Sequence, residues 1–299
     1  MTSTAEQTRA RYPDEMGDLD RDGVRIHWER YGDGDRSILF LPTWSIVHSR
    51  CWKAQIPYLA RRYRVLVFDP RGNGLSGRPL DPGAYAESAF ADDALAVLDA
   101  TATESAVVVG LSLGAQRGVI LASGHPERVA GVVMIGPTLA LAPWPADRAG
   151  AFERFHERRA AEGSWHQYNA HYWRRDFPAF LEFFFGEVFT EPHSTKQIED
   201  CVGWGLEGGV DCLLAAEDAP ALGDAAAETA AAVRCPMLVI HGDCDAITPH
   251  AVGAELARLT GGRLATIEGG GHCPQARDPV AVNLLIRNFV ESLGDGDAT

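Results

Sequence analysis

Apolar positions along this chain recur with two periods, and the two take turns. Residues 24–31 (VRIHWERY) alternate in the β manner, and residues 37–41 (SILFL) form a short apolar run. The turn-rich Gly32-Asp33-Gly34-Asp35 between them predicts a hairpin joining the two strands. Residues 52–60 read as helical, residues 63–68 (YRVLVF) as an apolar strand, and residues 88–100 as a helix. The alternation continues with a strand at 106–110 (AVVVG), a helix at 114–123 and a strand at 129–135 (VAGVVMI). It stops near residue 138. From there to residue 222 no strand is evident, while aromatic residues such as Trp144, Trp165, Trp173, Phe180, Phe184 and Trp204 are spaced by Gly, Pro and charged positions. That pattern predicts a helical insertion with apolar faces of its own. The β/α rhythm then returns with a strand at 237–241, a helix at 249–259, a strand at 263–267 and a closing helix at 280–293.

Strands alternating with helices predict an α/β fold, with a mostly parallel sheet covered on both faces and an antiparallel N-terminal hairpin. The expected organisation is a core built from residues 1–137 and 223–299, interrupted by a helical cap at 138–222. The length of 299 residues suits this arrangement. Apolar residues at 46% and charged residues at 23% match a chain that buries a full core.

Charge narrows the partners. Twenty-seven basic against 41 acidic side chains leave a net charge of −14. Such a surface repels phosphate backbones and anionic leaflets, so neither nucleic acid nor membrane is an expected partner. No segment approaches the ~20 apolar residues of a membrane span. Residues 1–18 have no apolar centre and read as a loose leader rather than a secretory signal. The six cysteines form no C-x-x-C pair, so reduced thiols and a cytoplasmic location are expected. Homo-oligomerisation is left open.

The chemistry concentrates at three loops. Gly110-Leu111-Ser112-Leu113-Gly114 lies between a predicted strand and a predicted helix. In a G-x-S-x-G elbow the serine occupies a strained strand-to-helix turn, and flanking glycines let neighbouring backbone approach, so Oγ projects at the carboxyl end of the sheet. A serine hydroxyl needs a base to take its proton and a third group to orient that base. Asp243 and Asp245 follow the strand at 237–241, and His272 follows the strand at 263–267 in a glycine-rich loop. The order Ser, Asp, His is the one this architecture uses.

These segments carry a resemblance. With GLSLG, the stretches FDPRGNGLSGRP (68–79), HGDCDAITP (241–249) and GGGHCPQARDP (269–279) resemble the α/β-hydrolase superfamily over about residues 19–293. Residues 41–60 (LPTWSIVHSRCWKAQIPYLA) are also similar to α/β-hydrolase domains found fused to nucleotide-cyclase domains. The resemblance implies Ser112 as nucleophile and His272 as base. It implies Asp245 as the orienting acid, because the family's acid lies three residues after the glycine of the HG pair; Asp243 then shapes the loop. It further implies backbone N–H groups of Trp44 and Leu113 as oxyanion donors, although Leu41-Pro42-Thr43-Trp44 stands where the family often has His-Gly.

Other motifs are set aside. Gly72-Asn73-Gly74-Leu75-Ser76-Gly77 fits G-x-G-x-x-G, but prolines at 79 and 82 break the helix that a dinucleotide site requires. Arg71 there reads as a structural ion-pair partner. His241-x-Asp243-x-Asp245 lacks further ligands, so no metal is expected, and the chemistry needs no cofactor. His48, Trp173 and Trp204 are the substrate-contact candidates. The expected function is a serine hydrolase cleaving a small carboxylic ester, lactone or related acyl compound with an apolar or aromatic part. An acyltransferase, a C–C bond hydrolase or a perhydrolase would use the same triad. A non-catalytic, receptor-like ligand-binding protein would keep the fold and need none of the three residues.

Overall fold

The short apolar runs are the strands of one eight-stranded sheet. The computed structural model describes residues 9–159 and 163–294. The strands are β1 (Glu15–Arg21), β2 (Val24–Tyr31), β3 (Ser37–Phe40), β4 (Arg64–Phe68), β5 (Ala106–Leu111), β6 (Val129–Ile135), β7 (Met237–Gly242) and β8 (Arg263–Ile267). They lie in the order β1-β2-β4-β3-β5-β6-β7-β8. β1 and β2 are antiparallel to their neighbours, and all pairs from β4 to β8 are parallel.

Besides single turns at Ile56–Leu59 and Pro274–Arg277, the α-helices among the described residues are α1 (Glu87–Ala100), α2 (Leu113–Gly124), α3 (Ala146–Glu153), α4 (Ala170–Arg175), α5 (Phe177–Val188), α6 (Thr195–Gly208), α7 (Val210–Glu217), α8 (Ala226–Ala232), α9 (His250–Thr260) and α10 (Pro279–Ser292). Each central strand feeds two cores, which is why its sequence is apolar at every position. Leu39, Leu66, Val108 and Val132 pack with α1, α2, α8 and α9 on one face. Ile38, Val65, Val107 and Val133 pack with α10 and with the helices between β6 and β7 on the other. Those helices, α3 to α7, follow one another without an intervening strand among the described residues.

The N-terminal hairpin differs from the expectation. β2 and β3 do not pair; β2 pairs with β1 through Asp22-Gly23, whose φ values of 54° and 80° suit a two-residue hairpin turn. The four residues of β3 are all buried, so this strand gains more between β4 and β5 than at the sheet margin. The leader reading is corrected with it, because Glu15–Arg21 is a strand; residues 1–8 lie outside the described residues.

The loop after β4 carries the G-x-G-x-x-G pattern and no dinucleotide-type helix follows it. Asp69 organises it, accepting from the amides of Ser49 (3.1 Å) and Leu75 (2.8 Å). Arg71 makes a buried two-pronged pair with Asp93 at 2.6 and 2.7 Å. No helix among the described residues is long and apolar enough to cross a membrane.

Candidate active site

Ser112 stands between β5 and α2 with φ 56° and ψ −121°, a conformation that costs a non-glycine residue about 1–3 kcal/mol. The surroundings hold it there. Its amide donates to the Ile135 carbonyl (2.9 Å), and its own carbonyl accepts from Ala115 (3.0 Å) and Thr138 (3.2 Å). A Cβ at position 110 would stand 2.3 Å from the Gly114 oxygen, so the elbow closes only with glycine at this place.

Asp245 and His272 come together from the loops after β7 and β8. His272 Nδ1 lies 2.8 Å from Asp245 Oδ2, and the carboxylate is fully buried. Its other oxygen accepts from the amides of Ile247 (2.7 Å) and Thr248 (2.9 Å). Burial pushes the Asp245 pKa up, but the charge and hydrogen bonds of His272 and His241 outweigh it and hold the carboxyl well below the usual range. His241 Nε2 stands 3.0 Å from the same Oδ2 and 3.2 Å from the Thr248 carbonyl. Because both neighbours are acceptors, Nε2 carries a proton. Asp243 accepts from the Gly269 amide at 2.7 Å and so ties the two loops together.

The His272 loop is anchored to the segment between β6 and β7. The His272 amide donates to the Val188 carbonyl (3.2 Å), and the Gly271 amide donates to Glu191 (2.7 Å). Gly136, at φ 46°, lies beneath the imidazole; a Cβ there would meet the His272 oxygen at 2.9 Å and Nδ1 at 3.2 Å.

Ser112 and His272 line the same recess, yet no hydrogen bond joins them among the described residues. The Ser112 hydroxyl instead lies 3.0 Å from Thr138 Oγ1, which lies 2.9 Å from Thr248 Oγ1. Bonds to a nucleophile are commonly long or misaligned before substrate binds. Neither threonine was among the sequence candidates, since an isolated threonine carries no spacing signal. The sequence offers His241 only as a metal ligand; its i,i+4 relation to Asp245 across the turn is the clue to this contact. No grouping of three or more His, Cys, Asp or Glu suited to a metal occurs among the described residues.

Two cavities meet at Ser112. A small apolar recess of about 60 Å³ runs between His272, Cys273, Val188 and Trp204. A larger cavity of about 490 Å³ opens on the other side, past Leu113 and Thr138. Trp44 and Phe184 border both. The Leu113 amide opens α2, where an N–H has no intrahelical acceptor, and no backbone carbonyl takes the Trp44 amide among the described residues. Trp204 lines the small recess. Trp173 and His48 line neither cavity. Trp173 is wholly buried against Phe155 and Phe180. His48 is buried rather than on the surface; it caps a short helix at Arg50 and faces Glu207 at 3.4 Å.

Residues 36–279 match the family model of the alpha/beta hydrolase fold. A relative from Klebsiella pneumoniae subsp. pneumoniae, named "Putative carbamate hydrolase RutD", is 26% identical over 246 residues, covering 81% of this chain and 86% of that protein. Among solved structures, Est816, an N-acyl homoserine lactone degrading enzyme, is 25% identical with a TM-score of 0.73, over 91% of this chain and all of that one. The esterase RhEst1 from Rhodococcus sp. ECU1013 shares the fold at 22% identity and a TM-score of 0.77, over 93% and 98% of the two chains. A sheet of this order, a serine in a strained turn at its carboxyl edge and a family match over most of the sequence lead to one conclusion: the chain is a hydrolase belonging to the α/β-hydrolase fold family.

Proposed function

We propose that the protein hydrolyses a small carboxylic ester, lactone or related acyl compound through a Ser112–His272–Asp245 triad and an acyl-enzyme. The observation that carries this reading is the 2.8 Å bond between His272 and a fully buried Asp245, facing the recess that Ser112 also lines. In this reading the reaction begins as the Ser112 hydroxyl turns from Thr138 toward Nε2 of His272, across the recess that both residues line. Oγ attacks the carbonyl carbon as its proton passes to that nitrogen, and Asp245 holds the imidazole tautomer and stabilises the imidazolium. The N–H groups of Trp44 and Leu113 face the developing oxyanion; one such donor contributes roughly 3–4 kcal/mol. Collapse expels the alcohol with the proton from His272. Water, deprotonated by the same nitrogen, then cleaves the acyl-enzyme and releases the acid.

The two cavities support a carbonyl with unequal substituents. The smaller group fits the 60 Å³ recess and the larger one the aromatic cavity. In this reading α3 to α7 serve as the cap, residues 138–222, that walls the reaction from bulk water. The names of the compared proteins refer to a carbamate, a lactone and esters, all carbonyls bearing a ring or chain oxygen. The experiment is steady-state hydrolysis of p-nitrophenyl acetate and butyrate by the native chain and by Ser112→Ala, His272→Ala and Asp245→Asn. Repeated turnover that vanishes with Ser112→Ala supports the reading. Full activity of Ser112→Ala, or no more than one event per chain in the native protein, overturns it.

A further inference from the structure

The larger cavity is unusual in its charge. Its wall is made of Trp144, Phe152, Phe155, Trp165 and Tyr168, and into this aromatic surface α7 presents the carboxyl of Glu217. The Tyr168 hydroxyl donates to Glu217 Oε2, and the Trp44 indole also faces this carboxyl. Among the described residues no basic side chain pairs with Glu217, and no lysine or arginine lines the cavity. The other ionisable side chains at the wall have partners of their own: Glu87 pairs with Arg117 at 2.9 Å, and His156 Nε2 lies 2.7 Å from Asp218.

A carboxylate held among aromatic rings without a counter-ion is costly, and the cost is relieved either by taking up a proton or by a cation that brings the missing charge. The faces of Trp, Tyr and Phe attract cations, so rings and carboxylate favour the same guest. We propose that this cavity takes a substrate whose far end carries a protonated amine, with Glu217 as its counter-ion and the surrounding rings as its wall. The inference rests on the serine-hydrolase reading, because the cavity opens onto Ser112. Burial pushes Glu217 up to about 7, against the hydrogen bond from Tyr168, with Asp218 and Glu87 adding to the rise. An incoming ammonium reverses that balance and draws the proton off.

The test uses isosteric pairs that differ in charge alone. The first pair is 4-(dimethylamino)butyl acetate and 5-methylhexyl acetate; the second is methyl 6-(dimethylamino)hexanoate and methyl 7-methyloctanoate. In each, the small group occupies the small recess and sends the branched end into the large cavity. At pH 8 the amine member is expected to have a kcat/KM at least about tenfold higher than its neutral partner in one pair or both. Glu217→Gln should bring that ratio close to one. Equal or inverted ratios in both pairs overturn the inference, even when both esters are hydrolysed. A second measurement is independent of turnover: calorimetric binding of 4-(dimethylamino)butanol and 5-methylhexanol to Ser112→Ala protein. Tighter binding of the amine supports the cation site although the chemistry were to fail, and no preference overturns it although the chemistry stands.

Discussion

The Ser112 hydroxyl and Thr138 Oγ1 lie 3.0 Å apart, and this contact, not one with His272, occupies the serine in the structure. Thr138 is itself held by Thr248, so the resting hydroxyl sits at the end of a short chain of threonines beside the Asp245 loop. A neutral hydrogen bond of this kind contributes about 0.5–1.5 kcal/mol net. Thr138→Val should therefore change kcat/KM by no more than about tenfold in either direction. A loss beyond a hundredfold, measured with p-nitrophenyl butyrate on protein of unchanged thermal stability, would show that Thr138 takes part in the reaction itself.

Asp245 serves two imidazoles through one oxygen. Replacing it by Asn offers His272 an amide in place of a uniform acceptor, and kcat should fall by about 10⁴ as the tautomer is lost. His241→Leu removes a donor and leaves the His272 contact in place, so it should cost less activity than Asp245→Asn. The reverse ranking of the two variants, from kcat at saturating ester, contradicts the assigned roles.

Gly136 sits at φ 46° against the back of His272. Gly136→Ala adds both backbone strain, about 1–3 kcal/mol, and a methyl group 2.9 Å from the His272 oxygen. Denaturant melts should show a loss of that order. Activity per folded molecule should fall as well, since the imidazole is pushed from its place. Loss of stability with full activity per folded molecule would mean that the loop adjusts without moving the ring.

Glu217 gives the fold a pH signature. Its folded pKa is raised to about 7 from an ordinary value of 4.5. Below 4.5 both states hold the proton and the burial carries no charge cost. As pH rises from 4.5 to 7 the unfolded chain releases the proton first, so stability is lost across this interval and levels off above it. Glu217→Gln stays neutral throughout. The melting temperature of the variant relative to the native chain should therefore rise between pH 4.5 and 7 and then stay flat; a difference independent of pH contradicts the shifted carboxyl.

Much of this molecule is legible in its residues, and the boundary has physical causes. The central strands are apolar at every position because both faces are covered, and that pattern survives without an alignment. The elbow at Ser112 and the loops of Asp245 and His272 are readable because each follows a strand of one parallel sheet, whose carboxyl ends share an edge. The β2–β3 hairpin misleads because Gly32 to Asp35 has turn composition, whereas strand order depends on which strand is most fully buried. The Asp22-Gly23 turn was the stronger signal. Trp173 and His48 line neither cavity, and composition does not reveal this: among so many aromatics, the choice between a wall facing the cavity and the core behind it depends on helix rotation. Glu217, which among the described residues has no basic partner, gives no sign of it in sequence, since its surroundings come from chain segments far apart, at Trp44, Tyr168 and Glu217 itself.

The central claim, that Ser112 is a nucleophile activated by His272, meets its most direct test in labelling of the intact chain with a fluorophosphonate, followed by mass spectrometry of its peptides. One adduct per chain, located on Ser112, formed in step with the loss of ester hydrolysis and absent from His272→Ala protein, is the predicted result. Labelling at another residue, or undiminished hydrolysis after Ser112 is fully modified, would contradict it.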